Sequence, residues 1–194
     1  GAKFSINLDL MKCTLFNFIL AATFFWFLPF VFRLVFINDL NVYEINHTEL
    51  TTNLFEKLSD IYEKGDKYEL FFEIFFNNLK SCVFNIVGGI MFGLGTLINL
   101  LMNGFVTADM LHNSYQKGLP VTLIIKHTLP HSIELLGVWL SGAIGFYIAR
   151  QLWNFIRHGK INMFLFFKIV GANFFATVII ILVAAFLEVY VSLP

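Results

Sequence analysis

Long apolar runs separated by short polar stretches dominate the chain. Residues 14–37 form a run rich in phenylalanine, residues 129–153 form another, and residues 163–193 form the last. Each run reaches the roughly 20 residues that an α-helix needs to cross the hydrocarbon core of a bilayer. The pattern therefore predicts membrane-crossing helices at these three places.

The middle of the chain predicts two further crossings. Residues 79–102 are apolar and glycine-rich, and Asn103-Gly104 after them predicts a turn. Residues 105–120 are polar but helical in pattern, whereas residues 121–129 are apolar but too short to span alone. We expect 105–129 to form a broken or re-entrant crossing, since irregular backbone at membrane depth must be buried in protein. The fold class predicted is all-α, a single polytopic membrane domain of 194 residues with about five transmembrane helices.

Charge is distributed unevenly along the chain. Residues 38–78 contain nine acidic residues and three lysines, a net charge of −6, so the remainder carries +6. The segment predicts an amphipathic helical cap on the membrane surface. Basic residues before the first run and between the last two runs are typical of cytoplasmic loops (Lys3, Lys12, Arg150, Arg157, Lys160). We therefore expect a cytoplasmic N-terminus and an extracytoplasmic acidic segment.

Composition supports a membrane protein. The mean hydropathy is +0.75 and 13% of residues are charged, against about 25% charged in soluble domains. The lipid bilayer is thus the first expected partner. No basic face with interleaved aromatic residues indicates nucleic acid, and no sequence motif indicates a cofactor.

Small residues recur at spacings of four, which lets membrane helices approach closely. They are predicted to form helix-packing faces (Gly89, Gly93, Gly137, Ser141, Gly145, Ala149).

Polar residues at the start of the 129–153 run allow two interpretations. His131 and Glu134 are three apart and share a helix face, and His127 would add a third ligand for a zinc ion with one open position. Such a site could support an intramembrane peptidase or peptide cyclase, with Glu134 and His131 as catalytic candidates. In the other interpretation His131 and Glu134 hydrogen-bond Asn77, Asn78 and free backbone groups, as a structural or partner-binding cluster.

A set of short motifs resembles the stage II sporulation protein M family over residues 75–155. The motifs are Asn77-Asn78, the glycine-rich run, Asn103-Gly104, the sequence LPHSIEL from residue 129, and SGAIG from residue 141. Ser132 stands where the family usually has glycine. The resemblance maps the family's polar positions onto Asn77, Asn78, Asn103, His131 and Glu134, with no established mechanism attached.

The resemblance implies a bacterial multi-pass membrane protein. One branch anchors a cell-wall-degrading complex during sporulation, and small members occur in gene clusters for circular bacteriocins, linked to maturation, export or self-protection. We expect a non-enzymatic membrane subunit that contacts other membrane proteins. The acidic segment would suit a cationic peptide, and circular bacteriocins are often cationic.

Overall fold

The computed structural model describes the backbone of residues 2–36, 66–116, 121–159 and 161–192. Side chains are described for residues 15–36, 66–116, 131–159 and 161–191. These residues are almost entirely helical and contain no strand. Of the acidic segment 38–78, predicted as a surface helix, residues 38–65 lie outside them, and residues 67–78 belong to a long helix that continues to Gly88.

The described residues form five long helices. Their bounds are α1 Ala2–Phe36, α2 Lys67–Gly88, α3 Leu94–Gln116, α4 Val121–His158 and α5 Met163–Leu187. A π-helical turn, Glu188–Ser192, follows α5. Each helix contains a stretch long and apolar enough to cross a membrane. The prediction of an all-α polytopic fold with five crossings is confirmed.

The second crossing lies elsewhere than predicted. Residues 79–102 are not one helix, because α2 ends at Gly88 and a tight turn leads into α3. Phe92 and Gly93 both have positive φ angles, 53° and 83°, which reverse the chain. Gly93 therefore lies in a turn and not on the helix face predicted for it. At this turn Gly88 packs directly against the backbone of Gly95.

The predicted broken crossing over 105–129 is divided between two helices. Asn103-Gly104, predicted as a turn, lies inside α3, where Gly104 packs against the main-chain carbonyl of Trp26 on α1. Any side chain at 104 would collide with that carbonyl, so packing explains the glycine. Residues 121–129 belong to α4, which continues through Pro130 as one helix of 38 residues.

α4 is the central helix of the bundle and contacts the other four. Half of its most apolar stretch is buried, against 17–33% in the other spans. Gly145 lies against the carbonyl of Asn85 and the side chain of Thr96, and Gly89 lies against Gly145. Gly137 instead contacts Ile181 of α5. The small residues of α4 therefore serve two different interfaces.

Contacts along the helices fix their directions. Trp26 and Arg33 of α1 lie at the levels of Gly104 and Asp109 of α3, so these two helices run parallel. Asn85 lies at the level of Ser141 of α4 and Gly89, just after α2, at the level of Gly145, so α2 and α4 are also parallel. α2 and α3 are antiparallel through the turn at Gly93. Consecutive helices therefore alternate in direction, as successive crossings require.

A buried ion pair joins α1 and α3. Arg33 Nε donates to Asp109 Oδ1 at 2.7 Å, and Asn113 donates to the other oxygen of the carboxylate at 3.2 Å. Arg33 is 1% exposed. Because α3 runs from the turn towards the Arg33 end of α1, Asp109 meets Arg33.

Candidate functional site

A line of polar side chains runs along one face of α3. Asn99, Asn103 and Thr107 are four residues apart and so lie one above another on the helix. They face Ser81 and Asn85 of α2. Polar groups at this depth require partners, since lipid offers none.

Asn85 links three helices. Its amide nitrogen donates to Ser141 Oγ at 2.9 Å and to the carbonyl of Val138 at 3.3 Å, both on α4. The carbonyl can only accept, so the amide nitrogen of Asn85 must point towards α4. Its oxygen then faces α3 and accepts from Asn99 Nδ2 at 2.7 Å. Ser141, predicted as a packing residue, thus also accepts a hydrogen bond.

The amide nitrogens of Asn99 and Asn103 are both engaged within the protein. Asn99 Nδ2 also approaches the Ser81 carbonyl at 3.2 Å. Asn103 Nδ2 donates to the Asn99 carbonyl at 2.9 Å and to Ser81 Oγ at 3.3 Å. Among the described residues, no side chain or backbone group donates to the side-chain oxygen of Asn99 or Asn103. Both amides therefore keep an acceptor available.

Next to these amides lies a cavity of about 410 Å³, here called the polar cleft. It is bordered by all five residues of the predicted polar cluster and by seven others. The lining is Asn77, Asn78, Asn103, His131 and Glu134, with Lys80, Ser81, Phe84, Asn99, Val106, Thr107 and Met110. The structure thus brings Asn103 together with the other four residues of the cluster. From the sequence alone, Asn103 falls at the membrane face opposite to those four.

The mouth of the polar cleft faces the outside of the bundle. Phe84 of α2 and Val106 of α3 border it and are 57% and 56% exposed. Exposed apolar side chains on spanning helices are the ones that meet lipid tails. The polar cleft therefore opens sideways, between α2 and α3, among exposed apolar side chains of two candidate membrane spans.

Asn78 is a polar residue of the lining whose burial is not explained by contacts inside the described structure. It is 9% exposed, and within the described part of the chain its side chain makes no hydrogen bond. Its amide atoms are accessible from the polar cleft, because the enclosed polar atoms without a partner among the described residues are Trp26 Nε1 and Trp139 Nε1. An occupant of the polar cleft could supply the missing partner.

His131 and Glu134 of α4 form a close pair at one side of the polar cleft. The distance from His131 Nδ1 to Glu134 Oε2 is 2.9 Å, and Glu134 is buried. Glu188, in the turn after α5, lies within Coulombic range of both side chains. Sequence reasoning missed Glu188 here, because only the antiparallel packing of α4 and α5 brings residues 54 positions apart together.

The described residues contain no group of three or more His, Cys, Asp or Glu side chains arranged to hold a metal ion. His127, the third ligand of the zinc hypothesis, belongs to α4, but its side chain lies outside the described set. In the described region His131 and Glu134 thus form a pair and not a ligand set.

The structure also gives the positions of two further residues predicted from the sequence, one from a packing face and one from the polar cluster. Ala149 lies beside Gly93 at the α2–α3 turn, far from the polar cleft. Asn77 is exposed at the edge of the polar cleft, in contrast to its neighbour Asn78.

Comparison with known proteins extends these findings. The family model described as stage II sporulation protein M matches residues 14–193. A similar protein of Methanocaldococcus jannaschii, described as uncharacterized, is 30% identical over 174 residues, covering 85% of this chain and 88% of that protein. No solved structure matches the chain.

Proposed function

The chain belongs to the stage II sporulation protein M family, and we propose that it acts as a non-enzymatic subunit that holds partner proteins together in a membrane complex. The polar cleft is the contact site in this proposal. The observation that carries it is the sideways-opening polar cavity itself, which is lined by Asn78, a residue whose side chain makes no hydrogen bond within the described structure. A neighbouring transmembrane segment can enter such a cavity from the bilayer.

The arrangement of polar groups favours binding over chemistry. Ser81, Asn85, Asn99 and Asn103 are connected to one another and to backbone carbonyls, which fixes their positions. Networks of this kind stiffen a site and specify its shape. Ser81 is the nearest candidate nucleophile. Nucleophilic catalysis would need a base such as histidine beside it, and none of these hydrogen bonds joins Ser81 to a histidine.

The resemblance suggests two kinds of complex. One is a sporulation-type scaffold, and the other serves maturation, export or self-protection for a circular bacteriocin in a bacterial membrane. The match to the Methanocaldococcus jannaschii protein covers 88% of that protein. This favours a binding role shared beyond one bacterial process. In either complex the N-terminus is cytoplasmic, and the part of the acidic segment before α2 faces outwards, available to a cationic peptide.

The proposal is tested by the mass of the complex extracted in mild detergent from the membranes of the producing cells. Native mass spectrometry should find the wild-type chain with a partner protein, and Asn78→Leu and Asn103→Leu should release it. Asn173→Leu is the matched control, because among the described residues the Asn173 side chain bonds only the Ile169 carbonyl of its own helix. A wild-type chain that is always alone, or cleft variants that keep the partner, would overturn the proposal.

A further inference from the structure

The hydrogen-bonding groups of the polar cleft indicate which chemical group it binds. We propose that it receives a cationic hydrogen-bond donor, the ammonium of a lysine or the guanidinium of an arginine, from a transmembrane helix of the partner. This inference rests on the proposed function and gives the chemistry of the partner. Its basis is that some hydrogen-bonding groups of the polar cleft already have partners within the protein and others do not.

The donors of the central amides are used within the protein. Backbone carbonyls of Val138, Ser81 and Asn99 fix the orientations of Asn85, Asn99 and Asn103 in turn. A carbonyl never donates, so none of these three amides can be turned around without losing a bond. The side-chain nitrogens of Asn99 and Asn103 are therefore not available to a ligand.

The groups left over on Asn99, Asn103 and Glu134 accept hydrogen bonds. The side-chain oxygens of Asn99 and Asn103 have no donor in the described structure, and only one oxygen of Glu134 is engaged, by His131. Asn78 adds an amide that can turn its oxygen towards a donor in the cavity. A ligand that satisfies this set must bring several N–H groups, as an ammonium or a guanidinium does.

The charges near the polar cleft point the same way. Two carboxylates, Glu134 and Glu188, lie within range of each other, with His131 beside them. Lys80, the other basic residue of the lining, is exposed at the edge. Hydrogen bonds between charged partners are the stronger kind, and they strengthen where water is excluded.

Depth favours a helix over a lipid as the source of the cation. Asn78 lies within the span Lys67–Met91, about 17 Å from its first residue and about 20 Å from its last at 1.5 Å per residue. A phospholipid headgroup stays at the interface, whereas a basic residue within a transmembrane helix lies at this depth. Such residues face other helices because exposure to hydrocarbon is costly. The polar cleft offers them a partner.

The test uses the purified full chain in phosphatidylcholine bilayers and two labelled single-span peptides of leucine and alanine. One peptide carries a central lysine, and the other carries norleucine, which has similar length without the ammonium. Energy transfer to labelled protein gives the two affinities. The lysine peptide should bind at least about tenfold more tightly, equivalent to about 1.4 kcal/mol.

Variants of the protein locate the effect. Glu134→Gln and Asn78→Leu should each reduce the preference for lysine to about onefold to threefold, whereas Asn173→Leu should leave it unchanged. Circular dichroism and thermal unfolding show whether each variant is folded. Asn78→Leu, which removes no side-chain hydrogen bond among the described residues, serves if Glu134→Gln is unstable.

The outcomes separate this inference from the proposed function. Equal binding of both peptides, lost in Asn78→Leu, would overturn the cation while leaving the polar cleft as a partner site. Binding of neither peptide would also overturn the cation, and the mass of the native complex would then decide the proposed function. Loss of the lysine preference on adding phosphatidylethanolamine would identify the lipid amine as the occupant, against a partner helix.

Discussion

Removal of the Asn85 amide should loosen the bundle by a calculable amount. In Asn85→Leu, three interactions disappear: the donations to Ser141 Oγ and Val138 O, and the bond accepted from Asn99. Side-chain hydrogen bonds between membrane helices average about 0.6 kcal/mol and reach about 1.7 kcal/mol. The sum is therefore about 2 kcal/mol. Asn99 keeps the Ser81 carbonyl and Ser141 keeps Val138, so no larger penalty from unpaired groups is expected.

The assay is reversible unfolding in bicelles with increasing dodecyl sulfate. Asn173→Leu is the control, since it removes one bond within α5, and it should change the free energy of unfolding by less than about 0.5 kcal/mol. A double-mutant cycle of Asn85→Ala and Asn99→Ala isolates the 2.7 Å bond between the two amides and should give a coupling of about 0.6–1.7 kcal/mol. A coupling of zero, or equal losses in Asn85→Leu and Asn173→Leu, would refute this account of the network.

Three further predictions concern packing and topology. Gly145→Ala should lower the free energy of unfolding by about 1–3 kcal/mol, because the added methyl group overpacks the interface. At Gly171 a methyl group meets nothing within 4 Å, so Gly171→Ala should be neutral or slightly stabilising. Thermal unfolding of both variants checks this, and equal effects would contradict it. Arg33→Met should cost about 3–5 kcal/mol, because it leaves the carboxylate partner on α3 buried without its cation; the same unfolding assay applies, and a loss below about 1 kcal/mol would count against it. Ser81→Cys with Asn103→Cys, in a chain without its native cysteines, should form a disulfide under mild oxidation, since Ser81 Oγ and Asn103 Nδ2 are 3.3 Å apart; in a single continuous helix the two would be about 33 Å apart and no disulfide would form.

The number of crossings was predictable because it depends on hydrophobic length alone. The position of the second crossing was not. Residues 79–102 contain no charged residue except Lys80, so the apolar signal continues across the turn at Phe92 and Gly93. A membrane helix and a tight hairpin in lipid look alike in hydropathy. The close spacing of Gly88, Gly89, Gly93 and Gly95 was the remaining signal, and it was assigned to helix packing.

The polar cluster was predictable in part. Asn77, Asn78, His131 and Glu134 stand out as polar residues beside apolar runs. Asn85 and Asn99 carried a weaker signal, the spacing of four residues that they share with Ser81 and Asn103 on their helices. That spacing predicts a polar face.

The partner of each face depends on helix direction. Once α3 is reversed, Asn103 comes to Ser81 and Asp109 comes to Arg33. These pairings lie at separations of 22 and 76 residues, which no local pattern specifies. The family membership was predictable from the motifs around Asn77, Asn103 and His131, and the match over residues 14–193 confirms it.

The central claim is that the polar cleft opens sideways onto a partner, and site-specific photocrosslinking tests it most directly. A benzophenone amino acid replaces Phe84 or Val106 at the mouth, or Phe175 on the exposed face of α5 as a control of similar exposure. In the membranes of the producing cells, the mouth positions should yield one discrete protein adduct that disappears in Asn78→Leu, and position 175 should yield none. Adducts that are equal at all three positions, or that persist in Asn78→Leu, would contradict the account.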